Sequence, residues 1–411
     1  MTEAWIIDAC RTPRGIGKAG KGALSSMHPQ HLGAAVLKAI AERNKINTAE
    51  VDDIIWGTSS QRGTQGGDLG RMAALDAGYD VKSSAVTLDR FCGSGITSVN
   101  IAASSIMSGM EDLVLAGGTE MMSTYGQDGN TPSPFMDNGN TRLRSEHPQP
   151  HQGVCADAIA TLEGINREAV DALAFISQQN ADKAIKAGHF DKSLIPVYNA
   201  EGELVLDKEE FPRPQTTLEG LSELKASFES LADYPLDEEG TTFRKLVLQK
   251  YPDLKINHVH HAGNSSGVVD GAAALLLASP NYAKANGMKP RARIRAMANM
   301  GDSPTLMLNA PVPAAKKVLE KANLSINDID LFEVNEAFSV VTEKFIRDLD
   351  IDRAKINVNG GAMALGHPIG ATGSILVGTV LDELERRDLQ FGLVTMCAAG
   401  GMAPAVIIER V

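Results

Sequence analysis

The sequence has few cysteines, fewer cations than anions and no long apolar run, and each shortage excludes a class of protein. Four scattered cysteines in 411 residues do not make a disulfide framework, so a reducing compartment is expected. Thirty-nine basic residues against 51 acidic ones give a net charge of −12, which argues against a nucleic-acid surface. No apolar stretch approaches membrane-spanning length. Because no signal peptide precedes the strand-like run at residues 4–9, we expect a cytoplasmic protein.

An internal duplication organises the chain, which is too long for one simple core. Residues 44–57 are echoed by residues 323–335, and both segments run from a helical stretch through a turn into a buried strand. At nearly the same offset, Cys92 matches His367, and residues 113–117 match residues 393–397. The sequence therefore predicts two related α/β halves, between which residues 121–256 have no counterpart.

Two helices are predicted to be buried, because residues 96–107 and 371–381 are small and apolar on nearly every side. Duplicated halves would pack these helices back to back, with Cys92 and His367 at their amino termini. Unpaired N–H groups and the helix dipole favour a thiolate there, so we expect Cys92 to be reactive. Pro368 is suited to the first turn of such a helix.

The segment without a counterpart has a different character. Residues 126–152 are rich in Gly, Asn, Pro and Ser, which predicts loops, whereas residues 155–187 have a helical period. Residues 211–251 carry most of the local charge. Such a segment typically covers a site and does not build the sheet.

One glycine-rich loop imitates a dinucleotide site. Residues 15–20 match the spacing of that fingerprint after a strand, but residues 21–29 contain Gly, Ser and Pro where its helix should begin. We therefore expect no dinucleotide there, and interpret Arg14, Lys18 and Lys21 as parts of a solvated loop.

Three histidines imitate a metal site. A strand through His258, His260 and His261 could place two imidazoles on one face, but no third carboxylate or thiol motif lies nearby. Polar pairing of these histidines is favoured, and no metal is expected. Cys10 and Cys155 lie among apolar or small residues and are interpreted as packing.

Two cysteine turns and a histidine turn indicate acyl chemistry through a thiolate. Cys92, His367 and Cys397 each lie among small residues that let backbone and substrate come close. Asn335 ends a buried strand. Its side-chain amide either stabilises the turn there or holds an oxyanion or a water.

At these residues the sequence resembles the thiolases over essentially its full length. The motifs that carry the resemblance are residues 89–95, 116–123, 262–267, 335–338, 357–373 and 397–402. The resemblance implies an α/β fold with a five-layered αβαβα core made of two duplicated halves, plus an inserted loop domain. The expected division is residues 1–120 with 257–283 for the N-terminal half, 121–256 for the loop domain that covers CoA, and 284–411 for the C-terminal half.

The resemblance also implies roles at the site. Cys92 would become acylated, His367 would take its proton, and Cys397 would move a proton at C2 of acetyl-CoA. Asn335, through a water, and His367 would form one oxyanion hole. The backbone N–H groups of Cys92 and Ala399 would form the other.

Further positions are expected, by similarity, to contact the substrate. They are His151, Gln152, Arg213, Lys225, Ser266 and Phe338. Coenzyme A would be a substrate, and no tightly bound cofactor is expected.

The chain departs from the family pattern at several places. Ala399 stands where the family has a glycine, His261 where a small hydroxyl residue is usual, and Gln152 where methionine is common. The stretch of residues 118–151 is shorter than the corresponding stretch in tetrameric biosynthetic thiolases, and residues 230–257 look like an insertion. A homodimer is therefore expected, with a tetramer as the alternative.

The expected activity is reversible cleavage of 3-oxoacyl-CoA to acyl-CoA and acetyl-CoA, or condensation of two acetyl-CoA. Such an acyltransferase would serve fatty acid metabolism and β-oxidation. A ketoacyl synthase-like condensing enzyme is one alternative, but it does not require a second cysteine such as Cys397. A thiolase-like lipid- or CoA-binding scaffold is the other, but such proteins commonly lose a catalytic residue, and all four remain here.

Overall fold

The structure, a computed structural model, describes residues 3–127, 130 and 133–411. Its strands are β1 (Trp5–Arg11), β2 (Gly15–Ile16), β3 (Asp53–Gly57), β4 (Val86–Leu88), β5 (Leu113–Met121), β6 (Val197–Tyr198), β7 (Leu204–Leu206), β8 (Val269–Ala278), β9 (Ala292–Gly301), β10 (Leu331–Val334), β11 (Phe391–Thr395) and β12 (Met402–Arg410). Its helices are α1 (Pro29–Asn44), α2 (Leu69–Asp76), α3 (Ser94–Ser108), α4 (Thr141–Glu146), α5 (Gln152–Leu162), α6 (Arg167–Lys186), α7 (Leu218–Ser222), α8 (Glu229–Ala232), α9 (Phe243–Leu248), α10 (Pro280–Ala285), α11 (Pro311–Ala322), α12 (Ser339–Leu349), α13 (Ala362–Leu365) and α14 (Ile369–Arg387).

Most described strands belong to one mixed sheet, in the order β10-β11-β12-β9-β1-β8-β5-β3-β4, with β2 beside β8. β1 and β9 join its two parts through only two residue pairs. Each part has the same pattern, because β3 is parallel to β5 and β10 is parallel to β11, while the strands that follow are antiparallel. We call β1–β5, β8 and α1–α3 the first half, and β9–β12 and α11–α14 the second half.

The two halves stack as alternating layers of helix and sheet. α1 and α2 cover the outer face of the first half, in a core that includes Leu37 and Leu276. α11 and α12 cover the outer face of the second half, around Ile407. α3 and α14 fill the space between the two parts of this sheet. Alternation along β8 directs Leu275 and Leu277 to this central core, so the chain has the five layers that the resemblance implied.

The two central helices touch through their backbones. A Cβ on Gly373 would lie 2.1 Å from the backbone nitrogen of Ile96, and a Cβ on Gly95 would lie 2.7 Å from that of Ser374. Both predicted helices are confirmed, although α14 continues to residue 387. Its apolar pattern ends at residue 381, because the last turns reach solvent and carry charged side chains.

The described part of the segment between the halves forms α4 to α9, of which α6 has 20 residues, and a hairpin. β6 and β7 pair with each other in a separate two-stranded sheet. The loop prediction for residues 126–152 holds apart from α4, and residues 128, 129, 131 and 132 lie outside the described part of the chain. The loop after β2 leads only to a 3-10 helix at Ala23–Ser26, as its Gly, Ser and Pro content predicts. Among the described helices, none combines the length and apolarity that crossing a membrane requires.

The prediction that Arg14 lies in a solvated loop is wrong. Its guanidinium is buried and lies 2.8 Å from Glu209 Oε1, and Glu209 also pairs with the buried Arg11 at 2.7 Å. The partner is distant in sequence, so no local pattern indicated this pair. Lys18 and Lys21 are exposed, as predicted.

Candidate active site

Cys92 lies in the turn between β4 and α3, two residues before the helix begins. The Oγ of Ser94 accepts from the N–H of Arg90 at 2.8 Å and donates to the carbonyl of Phe91 at 2.7 Å, which holds the turn. Phe91 has a φ of +50°, a left-handed conformation that bulky residues seldom adopt. Backbone strain of this kind is typical of functional turns.

The environment of the Cys92 thiol favours its protonated form. Burial, together with the nearby carboxylates of Glu120 and Asp89, raises the pKa of Cys92 to about 12. Hydrogen bonds from the backbone N–H groups of Cys92 and Ala399 lower this pKa, but they are outweighed. These effects favour the thiol in the resting chain, whereas the helix start alone favours a thiolate, so a base has to remove the proton.

His367 occupies the equivalent position, two residues before α14, and its ring contacts define its tautomer. The Thr372 hydroxyl donates to the carbonyl of Pro368 at 3.0 Å, so it accepts from Nδ1–H of His367 at 2.6 Å. Nε2 is then the unprotonated nitrogen, 3.4 Å from Nδ2 of Asn335. Burial lowers the pKa of His367 to about 3, so the imidazole is neutral and can accept a proton.

Asn335 follows β10, as the sequence predicted, and it is buried beside His367. Its backbone N–H donates to the carbonyl of Thr395 in the neighbouring strand at 3.2 Å. Its Oδ1 is buried and has no hydrogen-bond partner among the described residues. A buried acceptor of this kind is suited to hold a water or a donor group of a ligand.

Cys397 lies in the turn between β11 and β12. Ala398 and Met402 close this turn with hydrogen bonds of 2.7 and 3.1 Å. Residues 400–401 each have a φ of +79°, so glycine is required there, whereas Ala399 does not have a positive φ and its Cβ is accommodated. Burial and the neighbouring Cys92 raise the pKa of the Cys397 thiol, which makes its thiolate a strong base.

The two helix starts and the second cysteine turn meet at one place. A Cβ on Gly57 would lie 2.8 Å from the carbonyl oxygen of Gly370 in α14 and 3.0 Å from Cβ of Ser94 in α3. A Cβ on Gly93 would lie 3.4 Å from Cβ of Ala398. The packing of the two halves therefore assembles segments that are about 300 residues apart in the chain.

A cavity of about 580 Å³ lies between the loop segment and the segment that precedes β8. Its lining includes Arg213 and Ser266, two of the expected substrate contacts, while Lys225 is exposed and lies outside the lining. Gly267 also lines the cavity, and its carbonyl accepts the N–H of His367 at 2.9 Å. The lining of the cavity is thus hydrogen-bonded to the backbone of His367.

An aromatic cluster holds two more of the expected residues, His151 and Phe338. His151 lies 5.6 Å from the ring of Phe228 and 5.5 Å from that of Phe243, and Phe338 meets Phe228 edge-on at 5.7 Å. Nδ1 of His151 accepts a backbone N–H, so Nε2–H is its donor, and burial lowers the pKa of the ring. Gln152 begins α5 and is half-buried. Phe338 belongs to the apolar core that contains the second cysteine turn.

The histidine triplet is engaged in polar pairing, as predicted. Asp157 accepts from Nδ1 of both His258 and His260 at 2.7 Å, and Asp171 accepts from Nε2 of His261 at 2.8 Å. The backbone there forms no strand, in contrast to the prediction. Across the described residues, no group of three or more potential ligands has a metal-binding arrangement.

Three residues of the site, Lys18, Phe211 and Thr372, were not predicted from the sequence. Lys18 and Phe211 line the same cavity as Arg213, and the Arg213 guanidinium lies 5.6 Å from the Phe211 ring. The basic glycine-rich loop was the signal for Lys18, but it was assigned to solvent once the dinucleotide was excluded. Thr372, which fixes the His367 tautomer, lies five residues after His367 near the start of α14, a position that no sequence pattern singles out.

Comparison with known proteins agrees with this geometry. The family model for the thiolase N-terminal domain matches residues 4–232, and that for the thiolase C-terminal domain matches residues 288–410. The chain is 38% identical to the steroid 3-ketoacyl-CoA thiolase of Mycobacterium tuberculosis, over all of this chain and 95% of that protein. It is also 38% identical to the beta-ketoadipyl-CoA thiolase of Acinetobacter baylyi, over the full length of both.

A solved structure shows the same fold. Human mitochondrial 3-ketoacyl-CoA thiolase superimposes with a TM-score of 0.84 at 33% identity, over all of this chain and 99% of that one. The fold and the relatives define an acyltransferase. More particularly, the chain belongs to the thiolase family.

Proposed function

We propose that this thiolase cleaves 3-oxoacyl-CoA with CoA, reversibly, through an acyl group carried on Cys92. The observation that supports this most is the placement of Cys92 and His367 at two adjoining helix starts, with Nε2 of His367 unprotonated. The names of the relatives, 3-ketoacyl-CoA and beta-ketoadipyl-CoA thiolases, support the substrate class.

In the first half-reaction, His367 Nε2 takes the proton of Cys92 as the sulfur attacks C3 of the substrate. The C2–C3 bond breaks, and the departing acetyl-CoA enolate takes a proton from Cys397 at C2. The backbone N–H groups of Cys92 and Ala399, which already point to the sulfur, stabilise an oxyanion there. Asn335, with a water held at its free Oδ1, and His367 would stabilise the thioester enolate.

In the second half-reaction, the CoA thiol gives its proton to the Cys397 thiolate and attacks the acyl carbon on Cys92. The imidazolium of His367 returns its proton to the departing Cys92 sulfur. Each group ends in its starting state, so the cycle needs no other proton source. Two sulfurs are required because one carries the acyl group while the other serves the carbon acid.

The 580 Å³ cavity is the proposed CoA site. Ser266 and Arg213 would contact the pantetheine and nucleotide parts, with Lys225 near the cavity. We assign His151 to the thioester, since its Nε2–H is a free donor, and Gln152 and Phe338 to the acyl-pocket wall.

We propose further that the protein is a homodimer that works in the cytoplasm. β4 is the last strand of the sheet and Val86 in it is 45% exposed, so this edge is open to pairing, and all four cysteines are unpaired. The division into residues 1–120 with 257–283, 121–256 and 284–411 is part of the same proposal, and the separate hairpin of β6 and β7 supports it. Light scattering after gel filtration measures the oligomeric state.

The test is CoA-dependent loss of the 3-oxo thioester absorbance, with acetoacetyl-CoA beside a medium-chain 3-oxoacyl-CoA. The wild type should cleave at least one substrate, and Cys92→Ala should reduce turnover by about 10⁴-fold or more. Cys10→Ala is the matched control, because Cys10 is a buried thiol in the outer core of the first half. Unchanged turnover in Cys92→Ala, or equal losses in both variants, would refute the proposal.

A further inference from the structure

Glu120 is a fully buried carboxylate in β5 that the reaction steps above do not use. Its Oε2 accepts from the N–H of Ser59 at 2.8 Å, from Ser59 Oγ at 3.0 Å and from the N–H of Gly370 at 2.8 Å. Its Oε1 accepts from the hydroxyl of Tyr125 at 3.0 Å and from that of Thr58 at 3.4 Å. This carboxylate therefore links three chain segments, one of which belongs to the second half.

The bond to Gly370 fixes the segment that carries His367. Gly370 is the second residue of α14, so its N–H is one of the donors that a helix start leaves unpaired. A carboxylate there also interacts favourably with the helix dipole. The carbonyl of Gly370 packs on the first half so closely that a Cβ on Gly118 would lie 2.2 Å from it. Glu120 thus supplies the polar contact at a place where the backbones of the two halves touch.

The same carboxylate acts on the Cys92 sulfur. After burial, Glu120 has the largest effect that raises the pKa of Cys92, against the lowering effect of the N–H groups of Cys92 and Ala399. Burial raises the pKa of Glu120 itself above its usual value, and its hydrogen bonds with Ser59, Gly370 and Tyr125 offset part of this rise. Two N–H donors on one oxygen favour the ionised form.

We propose that Glu120 is a positioning residue of the thiolase reaction, which places a negative charge where the two helix starts meet and whose hydrogen bonds hold the His367 segment in place. The thiol then keeps its proton until a bound thioester brings the oxyanion that the N–H groups stabilise. The second claim rests on the proposed function, whereas the first concerns the free enzyme.

Replacement of Glu120 by glutamine separates charge from geometry. A glutamine oxygen can accept the N–H groups of Ser59 and Gly370, and its NH₂ group can donate to the hydroxyls of Tyr125 and Thr58. The measurement is the pH dependence of Cys92 alkylation by iodoacetamide in the free enzyme, followed by peptide mass. In Glu120→Gln the midpoint should fall by about one pH unit, which is roughly tenfold faster alkylation below the midpoint.

Two further variants complete the test. Tyr125→Phe removes one hydrogen bond and keeps the charge, so its alkylation midpoint should equal that of the wild type. Glu120→Ala removes charge and bonds together, so its kcat should fall on the order of 10²-fold, more than in Glu120→Gln. An unmoved midpoint in Glu120→Gln overturns the electrostatic claim, whether or not the enzyme is active.

Wild-type kcat in Glu120→Ala overturns the positioning claim. If Glu120→Ala does not fold, the kcat of Glu120→Asp decides, because a shorter side chain cannot reach Gly370 and Ser59 together. Failure of the proposed function would appear separately, as absence of thiolysis in the wild type with a normal alkylation profile.

Discussion

The two halves of the molecule repeat the same elements and carry different chemical groups at equivalent places. Two residues before its central helix, the first half has Cys92 and the second half has His367. At the end of the corresponding strands, the first half has Gly57 and the second has Asn335. Because the two helices pack start to start, one backbone geometry used twice brings a nucleophile and a base together.

The environments of these two groups differ in what controls their charge. Burial and the Glu120 carboxylate keep the proton on Cys92, whereas burial alone keeps His367 neutral. The resting pair is therefore a thiol and an imidazole, not an ion pair. Proton transfer from Cys92 to His367 therefore has to accompany attack on the substrate, since neither group is charged beforehand.

The two halves differ most at Cys397, because the first half has no chemical counterpart of this residue. Cys397→Ala should lower hydrogen exchange at C2 of acetyl-CoA by about 10²- to 10⁴-fold, because a carbon acid needs a strong, positioned base. Acetylation of Cys92 by acetyl-CoA should fall less, because a leaving thiolate needs little help. Exchange into deuterium oxide and intact mass measure the two steps, with Cys155→Ala as the control. Equal loss of both steps would contradict a separate role for Cys397.

The sequence predicted the duplication, the central helices and the segments that meet, because each depends on a local pattern of apolar or small residues. One predicted match between strands of the two halves was shifted along the chain. β3 with β5 and β10 with β11 are paired identically, with Asp53 opposite Val114 and Leu331 opposite Gly392 as the first pairs. The predicted match of residues 113–117 with 393–397 is thus two residues out, because short apolar strands resemble one another when shifted.

What the sequence could not give depends on contacts between distant segments. The protonation of Cys92 depends first on burial and then on Glu120, whose bonds to Ser59 and Gly370 join both halves. Arg14 is buried because Glu209 reaches it from the middle segment. Helix-start chemistry alone suggested a thiolate, but long-range burial and charge decided against it.

The packing of the halves can be broken without touching a reactive group. Gly373→Ala should lower the free energy of unfolding by about 1–3 kcal/mol, because its Cβ would meet the backbone of Ile96 at 2.1 Å. Gly378→Ala in the same helix is the control, since its Cβ would meet only the methyl group of Ala9 at 3.2 Å and helix propensity favours alanine. Urea unfolding measures both variants. Equal stability in the two would mean that the close backbone contact is not needed to hold the helices together.

The neutrality of His367 predicts a smaller effect, on stability as a function of pH. Its pKa is about 3 in the folded chain and 6.5 when unperturbed, so between these values the unfolded chain binds a proton that the folded chain does not. The contribution of His367 to stability is therefore complete above pH 6.5 and is lost as pH falls, by about 1.4 kcal/mol per unit. In urea unfolding at pH 6.5, 5.5 and 4.5, His367→Gln should lose less stability than the wild type by about that amount per unit. His147→Gln, which replaces an exposed imidazole, should follow the wild type. Parallel curves for the wild type and His367→Gln would show that the imidazole is charged in the folded chain, and the second half would then hold a cation opposite the Cys92 thiol.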